Sequence, residues 1–204
     1  MTKIDLNIIG AGGHTRSIIS SFKDQYNFIG IYDDSYNINS NEIISQVTLK
    51  GKIEDLPGNN KLVLAIGDNK TRANLYNSNN INLKIDSLIH KSSIICPSSK
   101  IGDSNQIFPN VFINGETEIG NNNIINSCCI IEHESKIGSH CHISIGTVIS
   151  GRVEIGDCVF VGANATIIDK LKIVSDVTIG AGSVVITDIM EAGTYVGNPA
   201  RKIK

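Results

Sequence analysis

Aliphatic residues recur every six positions through the second half of the chain. Counted from Ile95, the series reaches Val185 without an exception, sixteen positions in all. Neither the 3.6-residue period of an α-helix nor the two-residue alternation of a single strand produces this spacing. A triangular solenoid does, because each side takes one hexapeptide and directs one aliphatic side chain inward. The pattern therefore predicts a β-helix.

The six-residue period also predicts which residues are neighbours. Three hexapeptides make one coil, so residues 18 apart should stack about 4.8 Å from each other in adjacent coils. Isoleucine-glycine pairs recur at that interval, at 101, 119, 137 and 155. We expect glycine, or a short polar residue able to adopt a positive φ, because the corners between sides require that conformation. About five coils fit between Ile95 and Val185.

Residues 1–88 follow a different pattern, in which short apolar strands alternate with helical stretches. Strands are predicted over Ile4–Ile9, Phe28–Tyr32 and Leu62–Ile66, and helices over Thr15–Lys23 and Lys70–Tyr76. The segment from 35 to 58 is polar and predicts a loop with a short strand. About 85 residues are too few for a complete dinucleotide fold. We therefore predict an α/β half-Rossmann domain over 1–88 and an all-β domain over 89–204.

Glycines follow the first and third strands of the N-terminal domain. Gly10, Gly12 and Gly13 would let backbone N–H groups approach a phosphate at the start of the helix. Their spacing is not G-x-G-x-x-G, and Asp33 matches only loosely the carboxylate that reads a ribose. A purely structural turn is therefore an equal alternative. Gly67 ends the third strand and should face the same crevice.

Composition and charge exclude several classes of protein. The formal net charge of -2 gives no basic excess to attract nucleic acid or an anionic membrane. No window holds the roughly 18 apolar residues of a spanning helix, and no signal peptide is visible. The five cysteines have no CxxC spacing, so reduced, small buried side chains are expected rather than disulfides or zinc. These features predict a soluble cytoplasmic protein.

His133 is the most informative polar residue of the repeat region. Its stacking neighbours one coil away are Gly115 and Gly151, which leave room for an extended ligand along the β-helix. A histidine, whose ordinary pKa is about 6.5, can take a proton from an attacking amine or hydroxyl. Glu134 could raise that basicity, although strand alternation directs it away unless a corner intervenes, and Arg152 one coil on competes for it. A solvated corner histidine is the alternative.

The motifs GAGGH, YDD, AIGDN, NSCCIIEHESKIGSHCHIS and VGNPARKI, in this order, resemble the sugar O- and N-acetyltransferases with a left-handed β-helix. The resemblance is strongest to the bacillosamine-type UDP-4-amino-sugar N-acetyltransferases and covers essentially the whole chain. It implies His133 as general base, Glu134 as its enhancer and Asn126 as an acceptor-side residue close to them. It further implies acetyl-CoA contacts at His142, Gly151, Ala163 and Ala181, and a nucleotide-sugar site of Gly12, Gly13, His14, Asp33, Asp34 and Gly67. Arg201 and Lys202 could meet CoA phosphates or form a solvated tail.

The resemblance also implies a reaction and an assembly. Acetyl-CoA is the cosubstrate, no metal is needed, and a UDP-linked amino sugar is acetylated by direct transfer. CoA lies between adjacent β-helices in the family, which implies a homotrimer. Four alternatives stay open: a sialic acid O-acetyltransferase, a metal-binding β-helix of the carbonic anhydrase type using His133, His140 and His142, a nucleotide sensor without turnover, and a purely structural β-helix.

Overall fold

The computed structural model describes residues 3–37, 42–58, 61–78 and 87–203. The chain divides into two compact units, Met1–Ile85 and Asp86–Lys204. Among the described residues, no helix is both long and apolar enough to cross a membrane.

The N-terminal unit is a five-stranded sheet with two helices. Its strands follow the spatial order β3-β4-β2-β1-β5, and every neighbouring pair is parallel except β3 with β4. The apolar strands are buried, as in other parallel sheets covered by helices. The elements are β1 (Ile4–Ile9), α1 (Gly13–Phe22), β2 (Tyr26–Tyr32), β3 (Ile43–Ile44), β4 (Val47–Gly51), a 3₁₀-helix (Ile53–Asp55), β5 (Leu62–Leu64) and α2 (Asn69–Tyr76).

The predicted elements of this unit are confirmed with shifted ends. Helix α1 begins at Gly13, two residues earlier than predicted. Gly12 is its N-cap, and no side chain caps this end of the helix. Helix α2 begins where predicted within one residue, and the carboxylate of Asp68 caps it by accepting a hydrogen bond from Thr71 N at 2.8 Å. The segment from 35 to 58 holds two strands rather than one.

Parallel strands bring the predicted nucleotide loops to one edge of the sheet. β2, β1 and β5 are neighbours, so the segments that follow their carboxyl ends lie side by side. Gly10, with φ +109°, begins the loop after β1, and a Cβ there would come within 2.9 Å of Ala65 O. A side chain at this position is thus excluded by both conformation and space.

The C-terminal unit is a left-handed parallel β-helix of three sides. Its first strand is Leu88–Ile89, so the aliphatic series begins one hexapeptide before Ile95. We name the sides by their outward side chains. The apolar side comprises Ile94–Ile95, Phe112–Ile113, Ile130–Ile131, Val148–Ile149, Thr166–Ile167 and Val184–Val185. The charged side comprises Lys100–Ile101, Glu118–Ile119, Lys136–Ile137, Glu154–Ile155 and Lys172–Ile173. The mixed side comprises Leu88–Ile89, Gln106–Ile107, Ile124–Ile125, His142–Ile143, Phe160–Val161, Val177–Ile179, Gly193–Val196 and Arg201–Lys202.

The predicted stacking is confirmed strand by strand, because every pair along the three sides up to Val185 joins residues 18 apart. The second residue of each two-residue strand points inward, and from Ile107 to Val185 these side chains are all buried. A second inward position, just before each strand, carries smaller side chains such as Val111, Cys129 and Ala165. The interior is therefore filled, which is what close packing requires.

The corner glycines do not have the role predicted for them. Positive φ occurs at every sixth residue from Ser104 to Gly182, and most of these residues are not glycine. Gly102, Gly120, Gly138 and Gly156 lie two positions earlier, where the constraint is space. A Cβ on Gly120, for example, would lie 2.6 Å from Ser139 Oγ and 2.8 Å from Gly138 O. Close approach of adjacent coils, and not left-handed backbone, selects glycine at these positions.

The outward faces of two sides differ sharply in polarity. The charged side alternates lysine and glutamate along the stack, with Lys100 bound to Glu118 at 2.8 Å and Lys172 to Glu154 at 3.4 Å. The outward residues of the apolar side are aliphatic, aromatic or threonine, and Ile94 and Ile130 are exposed. One side of the β-helix is thus suited to water and the other to a partner.

Candidate active site

His133 and Glu134 form the corner between the apolar and charged sides. Glu134 has φ +60°, so the chain turns there and its side chain comes back beside the imidazole. His133 Nδ1 and Glu134 Oε2 are 2.8 Å apart. Since a carboxylate only accepts, Nδ1 carries the proton and Nε2 keeps its lone pair. The corner that the sequence analysis required for this contact is present.

Arg152 shares the same carboxylate oxygen. Its Nε lies 3.3 Å from Glu134 Oε2, and its backbone N donates to His133 O at 2.9 Å. The hydrogen bond from His133 and, to a smaller extent, the positive charge of Arg152 hold the pKa of Glu134 below its usual value. The competitor predicted from stacking is therefore not an alternative to the His133 contact, because both contacts exist together.

Gly151 lies against the imidazole of His133. A Cβ built on Gly151 would be 2.8 Å from both Cε1 and Nε2 of that ring. A Cβ on Gly115 would instead meet Ser98 Oγ at 3.1 Å and Cys96 Sγ at 3.5 Å. Of the two flanking glycines, it is Gly151 that makes room for the imidazole of His133.

A second carboxylate, that of Glu132, immediately precedes His133 in the sequence. Asn114 Nδ2 donates to Glu132 Oε2 at 2.6 Å, one coil toward the N-terminus. Glu118, Glu134 and Glu154 each pair with a lysine or arginine, whereas Glu132 has no such cation within the described part of the chain. The sequence analysis missed this pair, although the 18-residue spacing of Asn114 and Glu132 could have indicated it.

Asn126 lies at a different corner from His133 within one chain. It precedes the corner between the mixed and apolar sides, and its Oδ1 accepts a hydrogen bond from Ser127 N at 2.8 Å. The strand Ile130–Ile131 separates the two residues. The expected closeness of Asn126 to the base is thus absent inside a single subunit, because a full side of the β-helix lies between them.

Three of the residues expected to contact acetyl-CoA divide between the same two corners, and the fourth, His142, lies on the mixed side. Gly151 is with His133, while Ala163 and Ala181 stack at the corner of Asn126, where Gly182 N donates to Ala163 O at 2.8 Å. His142 points outward from the mixed side, and its ring packs edge-on to Phe160 with centroids 5.2 Å apart. The expected site therefore falls into two halves, one at each edge of the apolar side.

Arg201 and Lys202, in the C-terminal strand, both make polar contacts within the chain. Lys202 Nζ binds Glu191 Oε1 at 2.6 Å, and an Arg201 guanidinium nitrogen donates to Ala200 O at 2.8 Å.

The predicted nucleotide-sugar residues lie at the common strand edge of the N-terminal unit. A Cβ on Gly12, Gly13 or Gly67 would meet nothing within 4 Å, so the backbone there is open to a ligand. Gly12 and Gly13 begin α1, whose first turn carries no acidic residue. His14 follows them in the same turn. An uncapped helix start of this kind favours an anion.

Asp33 joins the glycine loop to the end of β2. Its Oδ2 accepts a hydrogen bond from Ala11 N at 2.8 Å, and its Oδ1 accepts one from Ser35 N at 2.9 Å. Burial raises the pKa of Asp33, but the hydrogen bonds from Ser35 and Ala11 outweigh it and leave the pKa below its usual value. Asp34 is held more loosely, accepting from Ile53 N at 3.3 Å.

Arg72 is a buried cation that the sequence analysis missed. Its guanidinium donates to Ile66 O at 3.0 Å, to Gly67 O at 3.3 Å and to Asn69 Oδ1 at 2.9 Å. It thereby fixes the loop after β5. A cavity of about 410 Å³ beside the 3₁₀-helix was also missed, and it is lined by Tyr36, Asn37, Lys52, Glu54 and Asp55.

The three histidines of the metal-binding alternative occupy different places on the β-helix. His133 is at the corner between the apolar and charged sides and His142 on the mixed side. His140 is at the corner between the charged and mixed sides, where its Nδ1 lies 2.8 Å from Asn122 Nδ2. No group of three metal-ligating side chains occurs among the residues that the structure describes.

The cysteines are all free thiols. Cys129 and Cys141 are buried inside the β-helix, and burial raises the pKa of Cys129 to about 12. The expectation that all five are buried is wrong for Cys96 and Cys158, which are half-buried, and for Cys128, which is exposed. Its positive φ of 62° places it at a corner, where the side chain leaves the interior.

Comparison with known proteins gives two domain matches. Residues 5–79 match the PglD N-terminal domain, and residues 134–169 match the bacterial transferase hexapeptide repeats. The comparison with curated proteins gave no match.

Solved structures match along the whole chain. The acetyltransferase domain of PglB from Neisseria gonorrhoeae is 26% identical with a TM-score of 0.89, covering 98% of this chain and 99% of that one. PerB from Caulobacter crescentus, solved with CoA and GDP-perosamine, is 27% identical with a TM-score of 0.87, covering 98% and 97%. A further PglB structure, solved with acetyl coenzyme A, is 25% identical with a TM-score of 0.89, covering 99% and 100%. The chain is therefore a sugar acetyltransferase with a left-handed hexapeptide-repeat β-helix, similar to the PglB and PerB proteins.

Proposed function

We propose that the protein transfers the acetyl group of acetyl-CoA to the amino group of a nucleotide-linked amino sugar. The observation that carries the proposal is the His133–Glu134 pair, whose geometry leaves Nε2 of the imidazole as a base beside the bare backbone of Gly151. The PglB and PerB structures solved with acetyl coenzyme A, or with CoA and GDP-perosamine, support the same pair of substrates.

The mechanism follows from that geometry. The neutral sugar amine attacks the thioester carbonyl while His133 Nε2 takes a proton from the nitrogen. The C–S bond then breaks, and the same proton goes to the departing CoA thiolate. Glu134 holds the imidazole in the tautomer that this step requires and stabilises the imidazolium that forms. Direct transfer needs no thiol nucleophile, and the Cys129 thiol is buried and unreactive at neutral pH.

Glu132 favours an amine over a hydroxyl acceptor. An amino sugar near pH 7 is largely a cation, and the carboxylate of Glu132, the residue before His133, lacks a lysine or arginine partner in the described ranges. A charge-assisted hydrogen bond from the ammonium group would satisfy it, whereas a neutral hydroxyl would gain less. The amine loses one proton to solvent before it attacks. This contact supports N-acetylation rather than the O-acetylation of a sialic acid.

The N-terminal unit supplies the nucleotide site in this proposal. The open backbone of Gly12, Gly13 and Gly67 and the start of α1 suit a diphosphate, and Asp33 and Asp34 suit a ribose or base. A UDP-linked 4-amino-4,6-dideoxy sugar is the acceptor we propose, with a GDP-linked one as the comparison. We also propose the cytoplasm as the location.

A homotrimer would bring the two halves of the site together. His133 and Gly151 lie at one edge of the apolar side, and Asn126, Ala163 and Ala181 lie at the other, so neither edge alone holds the full set. If three β-helices pack with parallel axes, one edge of each can meet the opposite edge of its neighbour. The exposed Ile94 and Ile130 between the two edges would be covered in that arrangement.

Release of free thiol from acetyl-CoA tests the proposal directly. The purified protein is supplied with UDP- and GDP-linked 4-amino sugars, and with the same sugars carrying a hydroxyl in place of the amine. We expect thiol release with an amino sugar, no more than trace release with the hydroxyl analogue, and its loss in His133→Ala. Turnover of the hydroxyl sugar or of a sialic acid alone would replace the proposal with O-acetylation. Binding without any thiol release would indicate a sensor.

A further inference from the structure

We infer that Arg152 is a positioning residue that sets the pH range of the catalytic base through Glu134. The inference rests on the proposed function only in so far as His133 is the base. Three side chains form one chain of contacts at the corner: His133 Nδ1 to Glu134 Oε2 at 2.8 Å, and Glu134 Oε2 to Arg152 Nε at 3.3 Å. Both donors converge on a single carboxylate oxygen.

Backbone hydrogen bonds hold the chain segments that carry these three residues next to one another. Arg152 N donates to His133 O, and Glu134 N donates to Gly115 O, so three successive coils are tied together at the corner. Glu134 and Arg152 both adopt the left-handed conformation, with φ +60° and +61°. Their Cα–Cβ vectors therefore leave the corner in the same direction, one coil apart.

The charges around His133 determine the effect of Arg152. Glu132 and Glu134 are the sequence neighbours of His133, Gly115 precedes it by one coil with Glu116 stacked on Glu134, and Arg152 approaches Glu134 from the following coil. A carboxylate in contact with an imidazole favours the protonated ring, which cannot act as a base. In the described part of the chain, Arg152 is the one cation in contact with the His133–Glu134 pair. It offsets the nearest carboxylate and so extends base activity to lower pH.

Arg152 also limits where the Glu134 carboxylate can point. With Oε2 held between two donors, Glu134 keeps the Nδ1–H tautomer of His133 and the ring over Gly151. Without Arg152, the carboxylate keeps one donor only and gains freedom. Because ion pairs between half-exposed side chains contribute little to folding stability, the loss of Arg152 should affect catalysis rather than folding.

The test compares Arg152→Gln and Arg152→Lys with Lys172→Gln. Lys172 is a matched control because it also pairs with a glutamate of the β-helix, Glu154, but on the charged side. Two readouts are used: the pH dependence of kcat/KM with one acceptor, and the NMR titration of the His133 ring in the protein without substrates. His133→Ala identifies the ring signal among the five histidines.

We expect Arg152→Gln to move both the acidic limb and the ring titration to higher pH by about half a pH unit. Arg152→Lys should keep most of the wild-type behaviour, since it retains the charge, and Lys172→Gln should leave both curves in place. Unchanged curves in Arg152→Gln, or an equal shift in Lys172→Gln, would overturn the inference. If His133→Ala keeps its activity, the assignment of the base fails instead, and the NMR titration still reports whether Arg152 acts on the ring.

Discussion

Gly151 and His133 are in direct contact across two coils of the β-helix, with no space for a methyl group between them. A Cβ on Gly151 would lie 2.8 Å from Cε1 and Nε2 of the imidazole. The φ of Gly151 is not in the left-handed region, so alanine is conformationally allowed there. The glycine is required by the position of the ring and not by the backbone.

The first prediction follows from this contact. Gly151→Ala should displace the imidazole and lower kcat by at least about tenfold, because a shift near 1 Å at a reacting group is costly. The melting temperature should stay close to wild type, since an exposed ring can move aside. Gly115→Ala is the control, because its Cβ meets Ser98 and Cys96 and not His133. A larger loss in Gly115→Ala would contradict the assignment.

The second prediction concerns the acceptor. Glu132→Gln should raise KM for an amino-sugar acceptor by about tenfold, because a charge-assisted hydrogen bond to the ammonium group is replaced by a neutral one. KM for acetyl-CoA should not change. Glu116→Gln removes an exposed acid one coil away and serves as the control. Steady-state kinetics with each substrate varied separately measure both constants, and an equal rise in both KM values would point to a general defect.

Much of the C-terminal fold was predictable because it depends on one repeated interaction. Each inward aliphatic position stabilises its own hexapeptide in the same way, so sixteen positions report one geometry. The same arithmetic placed Gly151 and Arg152 beside His133 and Glu134. It could not give the direction of a side chain at a corner, where alternation along the strand ends. Glu134 pairs with His133 for that reason, against the expectation from strand alternation.

Other features escaped the sequence because they depend on space or on several segments at once. The glycines of the Ile-Gly pairs looked like left-handed corner residues, yet the positive φ falls two positions later, on residues such as Asn122 and His140. Arg72 carries no visible motif, and its partners at Ile66 and Gly67 become neighbours only when α2 folds back on β5. The distance of Asn126 from His133 follows from the number of sides between them, which a motif match does not reveal.

The third prediction concerns assembly. Ile130 is exposed at 37% on the outward face of the apolar side, while its neighbour Ile131 is fully buried inside. Ile130→Lys should therefore leave the β-helix folded but dissociate the proposed trimer, because burying an unpaired lysine in an interface is strongly unfavourable. Activity should fall with it. Light scattering measures the mass, and Glu118→Gln on the charged side is the control. A fully active monomer, in the wild type or the variant, would refute the shared site.

The fourth prediction concerns the nucleotide site. Asp33→Ala removes a carboxylate that holds Ala11 N, so the glycine loop should lose its position and sugar-nucleotide binding should weaken by about tenfold. Acetyl-CoA binding should change little, because its expected contacts lie in the other unit. Ser35→Ala keeps the bond to Ala11 and should have a smaller effect. Calorimetry with each ligand separately distinguishes this outcome from a folding defect, which would weaken both.

The last prediction separates the base from the other histidines. His133→Ala should lower kcat at least about a hundredfold with assembly and melting temperature close to wild type, the usual cost of losing a general base. Glu134→Ala should lower kcat less, since it orients the ring but does not carry the proton.

His140→Ala should instead lower stability while leaving kcat nearly unchanged. Its Nδ1 pairs with the buried amide of Asn122, so its loss should cost about 1 kcal/mol of stability. Thermal unfolding and steady-state kinetics of the three variants give both quantities. A chain in which His140→Ala is the more damaging change to kcat would have its base at the other corner, and the pairing of His133 with Glu134 would then be structural.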